Sequence, residues 1–358
     1  MLARRSFLGA ASAAALASAA AGCAVAPLAA PAPARAGHAP LRKVAFGSCI
    51  NQNKPQPIWD AILAGKPDLF VFGGDNVYAS AQPWSRSRLQ AAYAQLASDP
   101  GFARLRRTVP QLAIWDDNDY GLNDGGADFA YKQDSKDVFL EFWGAARDDE
   151  RRRRAGVYHA LRFGPPGQTV QIVLLDCRSF RSPLRATDQS GGAGKERYLP
   201  DPDPAKTMLG PTQWQWLEEQ LRLPADIRLL VSGVQVIATG HGWESWGNLP
   251  LERERLLALI ERTGANGVVF LSGDRHIGAL YRDTRPGRYP LFEITSSGMT
   301  HAWTQAREAG PNRLGDLVTV NHYATLEFDW ERARLRFALL SETGLPLRTH
   351  SVSLAELS

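Results

Sequence analysis

Three cysteines in 358 residues, Cys23, Cys49 and Cys177, are too few for a disulfide framework. The sequence has no internal repeat and no composition shift that would mark a linker between domains. It also lacks an apolar stretch bulky enough for a stable membrane span, since the one candidate, Phe7 to Val25, is short and mostly alanine. Strong charge of one sign is missing as well. Lys and Arg number 41 against 37 Asp and Glu, and Arg4, Arg5 and Arg35 fall in the first 36 positions, which hold no acid. The rest carries 38 against 37, so the small positive excess gives no footprint for nucleic-acid recognition. Hydrophobic residues at 44% and charged residues at 22% exclude disorder, collagen and coiled coil. A soluble globular chain remains, with room for one large domain or two to three small ones.

Residues 4–9 read Arg-Arg-Ser-Phe-Leu-Gly ahead of the alanine-rich stretch, the pattern of a twin-arginine export signal. Ala34-Arg35-Ala36 offers a small-x-small cleavage site, and Ala-Ala-Gly-Cys ending at Cys23 offers lipidation as the competing outcome. Residues 1–36 therefore read as a targeting segment and 37–358 as the working domain. The expected location is periplasmic or secreted, with a lipid anchor at Cys23 left open.

After Pro40 one grammar recurs: a short apolar run stops abruptly at Gly, Asp, Asn, Cys or His. The runs are Val44–Phe46, Leu69–Phe72, Leu112–Trp115, Val170–Leu175, Leu229–Val231 and Val268–Leu271. Unbroken apolar runs of this length predict strands buried on both faces. Amphipathic stretches lie between them at Ile58–Leu63, Gln213–Leu221 with Thr212 as N-cap, and Leu251–Arg262 with Leu256, Leu257 and Ile260 as its stripe. This alternation predicts an α/β sheet with its site at the carboxyl ends of the strands. A closing hairpin is expected from Ala324–Trp330 and Leu335–Leu340. Residues 181–210 read as a long surface loop and Arg151–Arg154, behind Asp148-Asp149-Glu150, as a self-neutralising turn.

The run ends collect metal-ligand chemistry. Cys49, Asp75, Tyr78, Asp117, Asp274 and His276 supply thiolate, carboxylates, phenolate and imidazole. Thiolate with phenolate favours iron(III) over zinc, because both are anionic strong donors. Asp117 and Asp274 offer only oxygen, which suits a calcium- or magnesium-like second ion, and Asp75 can bridge the two.

The motifs Phe-Gly-Ser-Cys (46–49), Gly-Asp-Asn-Val-Tyr (74–78), Asp-Asp-Asn-Asp-Tyr-Gly (116–121), Leu-Asp-Cys-Arg (175–178) and Ser-Gly-Asp-Arg-His (272–276) make the chain resemble the alkaline phosphatase D (PhoD-like) family of calcineurin-like metallophosphoesterases. The resemblance implies a four-layer α/β/β/α sandwich of two mixed sheets with a dinuclear site. It assigns iron(III) to Cys49, Asp75, Tyr78 and His276, and calcium to Asp75, Asp117 and Asp274, with Zn, Mn or Mg as alternatives there. The implied reaction is hydrolysis of phosphate monoesters or diesters, small or polymeric, by a metal-activated hydroxide. Oligomeric state stays open.

One departure matters. Asn118 stands where the family carries a substrate-facing histidine, and an amide can donate a hydrogen bond or ligate through its oxygen but cannot act as an acid near neutral pH. Candidate replacement acids are His241, His301 and His322. Arg275 and Arg178 are candidate phosphate clamps, with Arg178 alternatively an ion-pair partner of Asp176. Trp243, Trp246 and Trp303 could wall a pocket for an organic leaving group, or simply pack. Cys177, where threonine is usual, reads as a packing difference. Asn118 also leaves open a non-catalytic member of the fold that only binds phosphorylated ligands.

Overall fold

The computed structural model describes residues 36–285 and 288–358, so the twin-arginine motif and Cys23 lie outside the described residues. Every apolar run named above becomes a strand. In chain order these are β1 (Lys43–Gly47), β2 (Leu69–Gly73), β3 (Gln111–Ile114), β4 (His159–Phe163), β5 (Val170–Leu175), β6 (Arg185–Ala186) and β7 (Tyr198–Leu199). There follow β8 (Ile227–Ser232), β9 (Val268–Ser272), β10 (Gly278–Asp283), β11 (Leu291–Ser296), β12 (His322–Asp329), β13 (Arg334–Ser341) and β14 (Pro346–Ser353). The helices are α1 (Ile58–Ala64), α2 (Arg86–Ser98), α3 (Pro100–Thr108), α4 (Asp117–Tyr120), α5 (Lys132–Phe142), α6 (Gly210–Leu221) and α7 (Pro250–Thr263).

Two six-stranded sheets form, ordered β14-β13-β12-β1-β2-β3 and β10-β11-β9-β8-β5-β4. In the first, β1, β2 and β3 run parallel and the C-terminal strands add antiparallel. In the second, β11, β9, β8 and β5 are parallel, with antiparallel β10 and β4 at the edges. Both sheets are therefore mixed.

Side-chain alternation sets the layers, because successive residues of a strand face opposite sides. In the second sheet, Ile172, Leu174, Leu229, Val231, Val269 and Leu271 join the core shared with the first sheet. Their neighbours Val173, Leu175, Leu230, Val268 and Phe270 pack with Trp214, Leu217, Leu256 and Ile260 of α6 and α7. On the far side, Phe70 and Phe72 of β2 meet Trp59 of α1, and Phe72 also meets Phe102 of α3 and Trp143 after α5. The order is helices, sheet, sheet, helices, the four-layer sandwich expected.

Several expectations change in detail. Thr212 lies inside the first turn of α6 rather than capping it; Thr207 Oγ1 accepts the Gly210 N–H instead. The closing hairpin gains a third strand, β14, and the 181–210 segment carries the small β6–β7 hairpin. The Arg151–Arg154 run is self-neutralised as expected, Arg151 pairing Asp149 and Arg154 pairing Glu150. Among the described residues no helix is long and apolar enough to cross a membrane.

Candidate metal centre

The strand ends turn through conformations that most residues avoid. Seven described non-glycine residues have positive φ, and five of them, Cys49 (62°), Asp75 (48°), Asp124 (50°), Asp274 (69°) and His276 (53°), gather at one cleft. Left-handed backbone in such residues costs of order 1–3 kcal/mol each and persists where the surroundings enforce it. Tight closure of the strand ends enforces it here. A Cβ on Gly74 would stand 2.5 Å from Asp116 Cβ, and one on Gly273 would stand 3.0 Å from Gly73 O and 3.1 Å from Gly233 O. The ends of β2, β8 and β9 therefore meet through glycine alone.

Around this junction Cys49 Sγ lies 3.6 Å from Asp75 Oδ2, and the same oxygen accepts the Tyr78 hydroxyl at 3.0 Å. That hydroxyl is 2.9 Å from His276 Nε2. Ser297 supports both ends, its Oγ 3.1 Å from Cys49 Sγ and accepting the His276 N–H at 2.7 Å. Cys49, Asp75 and His276 present ligand atoms within 4.8 Å of one another. Asp75 belongs also to a second such group with Asp116 and Asp117, and Asp117 to a third with Asp124 and Glu244. Asp274 lines the same cleft of about 230 Å³, where its side chain makes no hydrogen bond among the described residues. A larger cavity, about 860 Å³, is lined by Gly37, Arg162, Asp226 and Arg228 and holds none of the candidate ligand or catalytic residues.

The electrostatics ask for a cation. Burial first, then the charges of Asp117 and Asp116, push the Asp75 carboxyl well above the usual range. Burial and then Asp116 and Glu244 do the same to Asp274. Burial and Asp75 raise the Cys49 thiol and the Tyr78 phenol. His276 is pushed down to about 4 by burial, so its imidazole is neutral, the form in which a histidine ligates. A buried set of mutually repelling anionic donors and one neutral imidazole fits a resident metal by its donor chemistry.

The other sequence-named residues divide. Asn118 faces the cleft; its Nδ2 donates to Asp75 Oδ2 at 3.1 Å and Asp117 Oδ1 at 2.8 Å, while Oδ1 accepts from Ser80 Oγ at 2.7 Å. Its amide oxygen is thus turned away from the carboxylates. Arg275 lines the cleft, but its guanidinium is buried, paired with Glu308 at 2.6 Å and seated over Trp243. His241 is no proton donor to the cleft: Nδ1 accepts the Trp243 N–H, which leaves Nε2–H bonded to Gln235 Oε1 at 3.0 Å, and burial pushes its pKa to about 3. His322 is likewise internal, its Nδ1–H bonded to Val320 O at 2.7 Å and Nε2 accepting the Ser297 N–H at 3.2 Å. His301 stands beside the His276 and Tyr78 rings at 4.4 and 4.9 Å.

Arg178 is a structural cation whose side chain pairs with Asp116 at 2.7 Å and Glu244 at 2.8 Å, rather than with Asp176. Trp243 and Trp303 line the cleft edge to face, whereas Trp246 is buried against Trp214. Cys177 packs in the outer core beside Ser232 Oγ. Sequence reading missed Asp124, Glu244 and Arg197 at the cleft. None of them follows an apolar run directly, so the strand-end signal passes over them.

Two mixed sheets sandwiched between helices, with a polyanionic cleft where strands of both sheets end, define the metallophosphoesterase-like class. The model of the PhoD-like phosphatases matches residues 44–314. The chain belongs to the PhoD-like phosphatase family. Alkaline phosphatase D of Bacillus subtilis (strain 168) is 24% identical over 292 residues, which are 68% of this chain and 47% of that protein. The chain thus spans about half the length of this curated relative. The solved structure of PhoD shares the fold at a TM-score of 0.68 and 18% identity, over 90% of this chain and 70% of that one. Purple acid phosphatase PPD1 from yellow lupin (Lupinus luteus) seeds shares it at 0.58 and 12% identity, over 88% and 54%.

Proposed function

We propose that the chain is an exported, metal-dependent phosphoric ester hydrolase acting on phosphate monoesters or diesters. The observation that carries this reading is the pair of ligand groups joined through Asp75: Cys49, Tyr78 and His276 on one side, Asp117 on the other. Thiolate, phenolate, carboxylate and imidazole suit iron(III), held by Cys49, Asp75, Tyr78 and His276. Asp75, Asp117 and Asp274 suit calcium, or alternatively Zn, Mn or Mg. When bound, the metals supply charge neutralisation for phosphate oxygens and the acidification of a water to hydroxide.

The chain's own groups then bind and orient. Asn118 Nδ2, already directed at two carboxylates, is a hydrogen-bond donor suited to a phosphate oxygen. The neutral His276 ring holds its orientation through Tyr78 and the Ser297-supported backbone. With an amide at position 118, His241 held in internal hydrogen bonds and His301 pushed down to about 3 by burial, none of the three gives the departing alkoxide a proton, so substrates with stable leaving groups are favoured. The Arg4-Arg5 leader supports delivery across the membrane after folding.

The test is elemental analysis of the exported protein, followed by hydrolysis of aryl phosphate monoesters and diesters by wild type and Asp75→Asn. About one iron per chain with calcium, and loss of both metal and turnover in D75N, is the expected result. Full hydrolysis by D75N overturns the assignment. Metal-filled wild type without turnover returns the phospho-ligand-binding reading.

A further inference from the structure

Four arginines stand at or beside the cleft, and their surroundings differ. Arg181, with 2% of its side chain exposed, pairs with the equally buried Glu244 at 3.1 Å. Arg178 has a fully buried side chain between Asp116 and Glu244. Arg275 has 5% of its side chain exposed and pairs with the 2%-exposed Glu308. Arg197 has 45% exposed and meets Asp124 Oδ2 at 2.6 Å on the cleft wall. Three guanidiniums are therefore locked onto buried acids and that of Arg197 is not.

The position of Arg197 is built rather than incidental. It lies at the end of the glycine-bearing segment 191–197, just before β7. The Arg197 and Tyr198 N–H groups both donate to Gly242 O, at 3.0 and 2.8 Å, while the Glu196 carboxylate accepts from Gly242 N and Gly194 N. These bonds fix the backbone, so only the side chain has to turn. Turning does not strip Asp124 of partners, because the Tyr198 hydroxyl donates to the same oxygen at 2.6 Å. The cleft otherwise presents Asp75, Asp117, Asp124, Glu244 and Asp274, a field that repels an entering phosphate. A planar, half-exposed guanidinium at this wall matches phosphate oxygens with two parallel N–H donors.

We infer that Arg197 is the residue that grips the non-bridging oxygens of the substrate phosphoryl group, exchanging Asp124 for the phosphate. This rests on the phosphoester reading above. The experiment measures inorganic phosphate affinity calorimetrically on metal-loaded protein, together with kcat and KM for an aryl phosphate. Arg197→Ala should weaken phosphate and raise KM about ten- to a hundredfold, the worth of a hydrogen bond to a charged group, with kcat within about threefold. R197Q, which keeps the side-chain bulk, should repeat that loss, and R197K should recover part of it as a point charge. Tyr198→Phe, which leaves Asp124 without that donor once Arg197 turns, should weaken phosphate and raise KM by less than R197A does, about two- to fivefold.

R197A and R197Q with wild-type phosphate affinity and KM overturn the inference. So does Y198F matching R197A, since Arg197 would then act through Asp124. A metal-loaded wild type that neither binds phosphate nor hydrolyses the ester overturns the phosphoester reading itself.

Discussion

His322 gives the sharpest test of how the interior is wired. Its ring is fully buried in a slot between two glycines: a Cβ on Gly278 would lie 2.8 Å from Nε2, and one on Gly298 2.8 Å from Cε1. Burial pushes its pKa from 6.5 to about 4. His322→Asn retains a donor near Val320 O but loses one of the two acceptors of the buried Ser297 N–H, which also reaches Ile277 O at 3.2 Å. Losing one hydrogen bond costs about 0.5–1.5 kcal/mol, and the smaller side chain adds about 1 kcal/mol of unfilled volume. At pH 7.5 the variant should therefore be less stable by about 1.5–2.5 kcal/mol.

The deficit should then depend on pH. Below 6.5 the unfolded wild type takes up a proton that the folded imidazole refuses down to about 4, so this group's contribution falls as pH falls across that interval. At 1.36 kcal/mol per pH unit the interval from 6.5 to about 4 is worth about 3 kcal/mol. Asparagine has no such loss, so the two urea-unfolding free energies should converge between pH 6.5 and 4. The difference between the proteins cancels the other buried histidines, and stripping both of metal beforehand removes its contribution. A deficit that stays constant from pH 7.5 to 4.5 would falsify the neutral, doubly bonded imidazole.

Arg178→Met should destabilise by about 3–5 kcal/mol, because Asp116 loses its buried counter-charge while Glu244 keeps only Arg181; urea unfolding at pH 8 reads it, and a loss under about 1 kcal/mol refutes the network. Asn118→His should speed hydrolysis of esters with poor leaving groups and leave good ones nearly unchanged, flattening the dependence of rate on leaving-group pKa. An equal change across the series would show that position 118 only positions the carboxylates.

The strands were legible because each buries both faces and so reads as an unbroken apolar run, as in Val170–Leu175. Edge strands carry a weaker pattern. In β4 only Phe163 is buried, and β14 buries only Val352, so neither stands out from its surroundings. Of the helices, α2 places Leu89, Ala92, Tyr93 and Leu96 at helical spacing, but alanines and glutamines dilute the stripe. At the cleft, Cys49, Asp75, Tyr78, Asp117, Asp274 and His276 were found because each terminates or closely follows a strand. Asp124 and Glu244 reach the same point through irregular backbone, and only the fold brings them there. The roles first considered for Arg178 and His241 failed for a common reason: a polar residue next to a motif can be consumed by buried partners that the sequence does not display.

The junction of strand ends has a consequence for assembly. Cys49, Asp75 and Asp117 follow strands of one sheet, whereas Asp274 and His276 follow β9 of the other. An ion held by both groups is a cross-link between two separately hydrogen-bonded sheets, closing a loop of some two hundred residues. The pocket for it exists only once the sheets have docked, so the ion reports on completed folding and cannot nucleate either half. Its removal should leave each ladder intact and loosen the seam between them, with amide exchange quickening first where β1, β2 and β9 end.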